Sequence, residues 1–408
     1  MRRYRARWLF PGDGPPILNA TIEVRDNDII SLSIDDSDAV DLGNVALIPG
    51  LINAHTHLEF STIPAPLQPL RDFTSWIPSV ISWRQEHPDG ISSAIRKGLD
   101  ESISYGVTTA AEIATTDWRS DSEASSTPLN VLMFREYLGL SDEAVDFQLS
   151  SAREFLEQPG SEQVKIGLSP HSPYSLHPDL FEGLCELAEQ HQVPLAMHLA
   201  ESPEELELLE TGGGKLAAML QQLGVARPEL FKESRRPLDY LHRLDCGVPV
   251  LVVHGNYLGQ REIEFLKTRP NMSVVYCPRT HAAMQSAEHP WKELLEVGIN
   301  VALGTDSRAS NPDLFIWKEL QFLHKRHEGI PASELLKLAT INGADALQLG
   351  RVGLLKQGHI ADLCVVSLQG ASIENPESGL FDSQNQPAGV MKHGEWVVTP
   401  QALKILEQ

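Results

Sequence analysis

The sequence predicts a (β/α)8 barrel with short strands contributed by both chain ends, and three observations lead there. First, apolar runs of strand length recur eight times between residues 49 and 354, ending near His57, Glu112, Tyr137, His171, His198, His254, Cys277 and Asp306. Second, each run precedes a plausible helix, such as PDLFEGLCELAEQHQ after the fourth, and eight such units make a closed parallel barrel. Third, residues 1–48 read as small antiparallel strands (YRARWLF, ATIEVRD, DIISLSI, NVALIPG), and the tail echoes them with ADLCVVSL and GEWVVTP. The expected division is 1–48 plus 355–408 as one subdomain and 49–354 as the barrel. No internal repeat is evident.

Composition bounds the function. The chain has 408 residues, enough for a barrel with an appended subdomain, and its 42% hydrophobic and 22% charged content is that of an ordinary globular protein. A formal net charge of −22 argues against nucleic acid or an anionic membrane as partner. Cys185, Cys246, Cys277 and Cys364 are scattered with no C-x-x-C pair, which speaks against a zinc ribbon or a disulfide framework and fits a reducing compartment. Pro and Gly interrupt the basic start MRRYRARWLFPGDGPP before any leader-length apolar stretch, and no segment reaches the length of a membrane span. The expectation is a cytoplasmic protein acting on a small molecule, with a homodimer left open.

The strand ends carry the chemistry. The stretch PGLINAHTHLEFS closes the first run on His55 and His57, two residues apart and therefore on one face of a strand. Two neighbouring buried imidazoles are costly unless something shared satisfies them, and a divalent ion does so. Alone, H-x-H is more often a pair of hydrogen-bonded or exposed histidines. But LAMHLAES adds His198 and Glu201, LVVHGN adds His254, and NVALGTDS adds Asp306, all where a barrel keeps its active site. Imidazole and carboxylate donors with an open position suit zinc, or alternatively iron(II).

With these stretches in view, the chain resembles the amidohydrolase superfamily, specifically its deaminase and chlorohydrolase branch. PGLINAHTHLEF, SPHSPYSLHPDLF, MHLAES, VHGNYL, CPRTH, VALGTDSRASNPDLFIWKEL and GHIADLCVV carry the resemblance over nearly the whole length. HTHLEFS followed by DFTSWI is similar to aminofutalosine deaminases in particular. The chain departs at Thr280-His281, where many of this branch carry Ser-Asn. The resemblance implies a distorted (β/α)8 barrel with a small β-sandwich built from both ends. It implies one metal held by His55, His57, His198 and Asp306, with Glu201 as proton shuttle and His254 orienting the nucleophile or polarising the substrate. It also implies hydrolytic deamination of an amino-substituted heterocycle, such as a purine or nucleoside derivative.

The residue chemistry supports these roles. A divalent metal lowers the pKa of bound water from 15.7 to about 7, so hydroxide exists at neutral pH. Attack on an amidine-like carbon needs a proton on the neighbouring ring nitrogen. Glu201, three residues beyond a ligand, is the natural donor, worth roughly 10²- to 10⁴-fold. Its plainer reading is a first-turn acid of SPEELELLE, a place Glu204 and Glu205 already fill. Asp306 can take the water proton and pass it towards departing ammonia; in LGTDS alone it would read as a strand-end turn residue. A bridging lysine at the fourth strand end would signal two metals; Lys165 sits at the wrong end of VKIGLSPH, so a single metal is expected.

Candidate substrate contacts are His171 and Tyr174 after the fourth strand, Glu59 and Trp76 after the first, and Arg135, Arg279 and His281. TIPAPLQPLRDFTSWIPS is a candidate lid, in which Trp76 and Trp83 at helical spacing could equally be a packing stripe. Arg135 could equally pair with Glu136. Chloride displacement or amide and cyclic amidine hydrolysis would use the same site, and a catalytically silent barrel acting as a binding scaffold is the alternative from another class.

Overall fold

The computed structural model describes all residues except 35–37, 122–124, 159, 286, 371–373 and 407–408. The chain opens with β1 (Arg2–Leu9), β2 (Ile17–Arg25), β3 (Asp28–Ile34), the short β4 (Val40–Asp41) and β5 (Val45–Pro49). It then runs through β6 (Leu51–Thr56), β7 (Val107–Ala114), β8 (Asn130–Tyr137) and β9 (Val164–Pro170). The circuit continues with β10 (Leu195–Leu199), β11 (Val250–His254), β12 (Met272–Tyr276) and β13 (Val301–Leu303). Finally β14 (Leu363–Ser367), β15 (Gln386–Lys392) and β16 (Glu395–Val398) return to the first group.

Strands β6 to β13 form one parallel sheet in sequence order, and a bridge between Thr56 and Asp306 closes it. Ile52, Ala54, Ala111, Ile113, Leu132, Phe134, Ala196, Leu251, Val253, Val275 and Ala302 pack together in its interior, while their alternating neighbours pack against the helices. Gly304 lets the last strand approach the first, since a Cβ there would lie 2.8 Å from both His55 Cβ and the His55 carbonyl oxygen.

The remaining strands form a single mixed sheet ordered β16-β15-β14-β5-β1-β2-β3, with β4 beside β1. β1 runs parallel to β5, and β14 is antiparallel to β5. Both arms bury side chains in one cluster, including Tyr4, Leu9, Ile22 and Val24 from the N-terminal strands and Leu363, Val365 and Met391 from the C-terminal ones. The two chain ends therefore share a core that neither could bury alone. No helix among the described residues is long and apolar enough to cross a membrane.

The Pro-rich stretch after β6 leads into a helix, Phe73–Glu86, whose first turn is capped by Asp72 accepting from the Ser75 N–H. Its residues Trp76, Ile77, Val80, Ile81 and Arg84 face the mouth of the barrel.

Candidate active site

Alternation along β6 points Ile52 and Ala54 into the barrel, which by itself would turn His55 and His57 outward. The pairing of β6 with β7 is irregular between Asn53 and Thr56, and this extra residue rephases the strand end. Both histidines consequently face the C-terminal mouth, where His198 and Asp306 meet them. His57 Nε2 lies 3.3 Å from His198 Nε2, and Asp306 Oδ1 is 3.8 Å from Nε2 of both His55 and His57.

These atoms are short of partners. Both ring nitrogens of His55 and Nδ1 of His57 are buried with no hydrogen bond. Burial, reinforced by the neighbouring imidazoles, holds His55 and His57 well below the usual histidine range, and burial with His171 nearby takes His198 to about 4. The rings are neutral, so their lone pairs are available to a cation. His198 is oriented by its Nδ1, 3.0 Å from the His171 carbonyl. Asp306, at φ +58°, accepts from the Ser307 N–H at 2.7 Å and from Ser310 Oγ at 2.8 Å, which fixes the carboxylate plane. Three imidazoles converge within ligand-sharing distance and a carboxylate stands beside them. This donor set fits one divalent ion with a position left open.

Glu201 stands over the cluster. It follows Ala200, a non-glycine residue at φ +54°. The turn is held by Glu205, whose carboxylate accepts from the Ala200 N–H and the Glu201 N–H, both at 2.9 Å. Ser202 caps the helix Pro203–Thr211 through the Glu205 N–H, so Ser202-Pro-Glu-Glu205 is a capping motif reaching back into the active-site loop. Burial pushes Glu205 up to about 7, against the opposing pull of the backbone N–H groups. Asn256 adds a 2.9 Å bond to the Glu201 carbonyl. Burial, with Asp306 and Glu205 nearby, raises Glu201 well above the usual carboxylic acid value, which favours the proton-bearing form. His254 Nε2 is 3.5 Å from Glu201 Oε1.

His57, His198, Glu201, His254 and Asp306 line a cavity of about 420 Å³, a size suited to a small molecule. His171, Tyr174 and Trp76 border it. His171 is anchored by Nδ1, 2.6 Å from Ser175 Oγ and 3.0 Å from Ser172 Oγ, which leaves Nε2 towards the cavity. The other expected contacts do not line the cavity. Arg135 follows Phe134, an interior residue, so alternation turns it to the helix side, where its guanidinium meets the Ala114 and Glu136 carbonyls and the Tyr137 ring. Glu136 takes the inward position instead, with Oε1 buried, without a hydrogen bond and 3.9 Å from His171 Nε2. Arg279 is engaged by Asp313 and Glu319, both at 2.6 Å. His281 packs edge-on against Tyr276 and His289, behind His254. Glu59 lies behind the wall, bonded at 2.8 Å by Arg84 and at 3.1 Å by Thr115.

Sequence reasoning missed Arg84. It projects from the helix Phe73–Glu86 between Glu59 and Glu136, 3.9 Å from the latter, and only tertiary packing brings these positions together. Glu205 and His289 were missed as well. The spacing Ser202-x-x-Glu205 was a legible signal for the first, whereas nothing local marks the second.

Comparison with known proteins agrees with this fold. A 5-methylthioadenosine/S-adenosylhomocysteine deaminase of Syntrophobacter fumaroxidans is 28% identical over 81% of this chain and 74% of its own length. An aminodeoxyfutalosine deaminase of Deinococcus radiodurans is 28% identical over 78% of this chain and 77% of its own. Among solved structures, Helicobacter pylori aminofutalosine deaminase in complex with methylthio-coformycin superposes with a TM-score of 0.82 at 23% identity, covering 98% of this chain and 100% of that one. The zinc complex of atrazine chlorohydrolase from Arthrobacter aurescens gives 0.80 at 22% identity, covering 98% and 95%. The sequence model of the amidohydrolase family matches residues 46–397, and the chain belongs to that family.

Proposed function

We propose that the protein is a metal-dependent hydrolytic deaminase of an adenine nucleoside carrying a modified ribose. The observation that carries this reading is the buried Glu201 carboxyl, facing the cavity beside the converging His55, His57 and His198 and the Asp306 carboxylate. The sequence relatives named for deamination of adenine-type nucleosides support the substrate class. His55, His57, His198 and Asp306 would hold one divalent ion, which we take to be zinc. Bound there, it supplies a water-derived nucleophile at neutral pH.

The chain's own groups then do the following. Glu201 donates its proton to the purine ring nitrogen next to the carbon under attack, which makes that carbon electrophilic. A new C–O bond forms, the C–N bond breaks, and the amino group leaves as ammonia after taking up a proton. Asp306 accepts the first proton that water gives up and passes it to the departing ammonia, and the second, lost as the new hydroxyl becomes a carbonyl, returns Glu201 to its acid form. His254, within reach of Glu201, orients the attacking oxygen. His171 Nε2 and the Glu136 oxygen without a hydrogen bond stand ready for polar atoms of the substrate, and the lid helix closes over the base to exclude water.

The test uses metal-stripped protein reloaded with zinc or iron(II), with adenosine and 5′-methylthioadenosine as substrates. Ammonia release and the ultraviolet change from an adenine to a hypoxanthine chromophore are followed together. Activity that disappears on chelation and returns with one equivalent of metal supports the reading. Chloride from a chlorotriazine without ammonia from either nucleoside overturns it, and protein that neither binds metal nor gains thermal stability from it is a scaffold.

A further inference from the structure

We propose that His289 is a positioning residue for His254, holding that imidazole in the active site through its backbone. The inference rests on the proposed reaction, yet the geometry behind it does not. His254 ends β11 at φ +68°, a conformation that a residue with a Cβ adopts at a cost and keeps only when its surroundings insist. The ladder between β11 and β12 stops one residue earlier, at Val253 and Val275. The His254 carbonyl therefore has no partner on β12. It is satisfied by a side chain: His289 Nε2 lies 2.7 Å from it, in a buried contact.

A carbonyl can only accept, so Nε2 of His289 carries the hydrogen and the tautomer is set. The ring is 8% exposed, and burial holds it neutral, with Nδ1 unpartnered. It lies flat on Tyr276, with centroids 3.9 Å apart and planes 22° from parallel, while His281 meets it edge-on at 5.8 Å. Tyr276 is the last residue of β12, so the stack fixes His289 to the barrel wall next to the strand end it supports. Rotation of the His254 peptide out of the positive-φ region would break this bond and swing Nε2 of His254 away from Glu201, 3.5 Å distant. His289 is not among the residues lining the cavity. Its influence passes through one main-chain bond.

Two substitutions separate the bond from the packing. His289→Phe keeps a flat ring for Tyr276 and removes the donor. His289→Gln keeps an N–H donor and loses the ring. With 5′-methylthioadenosine and zinc-loaded enzyme, His289→Phe is expected to lower kcat roughly 10- to 100-fold, the range for small misplacement of a catalytic group, with KM and zinc content unchanged. His289→Gln is expected to recover most of that loss. Crystal structures of both variants give a readout independent of activity: His254 leaves positive φ in His289→Phe and keeps it in His289→Gln. Should His289→Phe not fold, His289→Ala with added imidazole replaces it, and recovery of kcat on addition is the supporting result. Wild-type kcat in His289→Phe, or a His254 that stays at positive φ there, overturns the proposal. So does an equal loss of kcat and melting temperature in both variants. Absence of nucleoside deamination in the wild type would overturn the proposed function but leave the conformational test intact.

Discussion

Replacing Glu205 by glutamine tests whether the capping motif also builds the catalytic loop. The carboxylate accepts two main-chain N–H groups at 2.9 Å, from Ala200 and Glu201, and is fully buried. A hydrogen bond to a charged group contributes about 1.5–3 kcal/mol, and an unpaired buried N–H costs a further 1–3 kcal/mol. The introduced side-chain amide offers one oxygen where two are needed and turns its own N–H₂ towards the second backbone donor. A loss of about 3 kcal/mol follows, one charged bond plus part of the desolvation penalty. For a chain of 408 residues, unfolding entropy of about 2.1 cal/mol/K per residue converts this to a drop in Tm of roughly 3–4 °C. The catalytic effect should be larger in proportion. Ala200 sits at φ +54°, a conformation about 1–2 kcal/mol uphill that the Glu205 bonds help retain. Relaxation there moves Glu201, and kcat is expected to fall roughly 10- to 100-fold while zinc content stays at one equivalent. Scanning calorimetry, metal analysis and steady-state ammonia release measure the three quantities. A Tm drop with unchanged kcat would show that the two Glu205 bonds stabilise the loop without positioning Glu201. Unchanged Tm would mean that the two bonds contribute nothing.

Three further outcomes are expected. Glu201→Gln should retain metal and lower kcat by roughly 10²- to 10⁴-fold, the range for loss of a general acid; turnover near wild type removes Glu201 from the mechanism. Arg84→Ala leaves Glu59 and Glu136 facing each other without the guanidinium that separates them, and should raise KM and lower Tm, whereas Arg135→Ala, on the helix side of β8, should leave KM unchanged; equal KM effects would refute the assignment of inner and outer faces. His289, held by burial at about 3, binds no proton in the folded chain between pH 6.5 and about 3, while the unfolded chain does, so its contribution to stability is complete above 6.5 and is lost as pH falls through that window. Chemical denaturation between pH 7 and 5 should show a shallower decline for His289→Gln than for wild type, and parallel declines would contradict the buried neutral ring.

The reach of local sequence differs between parts of the site. His55-Thr56-His57, His198 with Glu201, His254 and Asp306 were legible because a parallel barrel delivers the ends of its strands to one mouth, so strand-terminal donors must meet wherever the eight runs are recognised. Tyr174 and His171 followed from the same rule. The rule fails one residue away: Arg135 and Glu136 are adjacent in the chain and opposite in space, and only the register of β8 decides which faces the cavity. It also misses any group that arrives from outside the strand ends.

What the chain dictated on its own was the period-and-spacing information: eight βα units, strands at both ends that lack a self-sufficient core, and donors of ligand type at fixed offsets. Packing alone decided the rest. It chose the irregular pairing that turns His55 and His57 inward, set Arg84 between two carboxylates, and brought His289 beneath the His254 carbonyl. The physical reason is range. Hydrophobic periodicity and capping act over a few residues, whereas a hydrogen bond between positions 35 residues apart exists only after the barrel has closed.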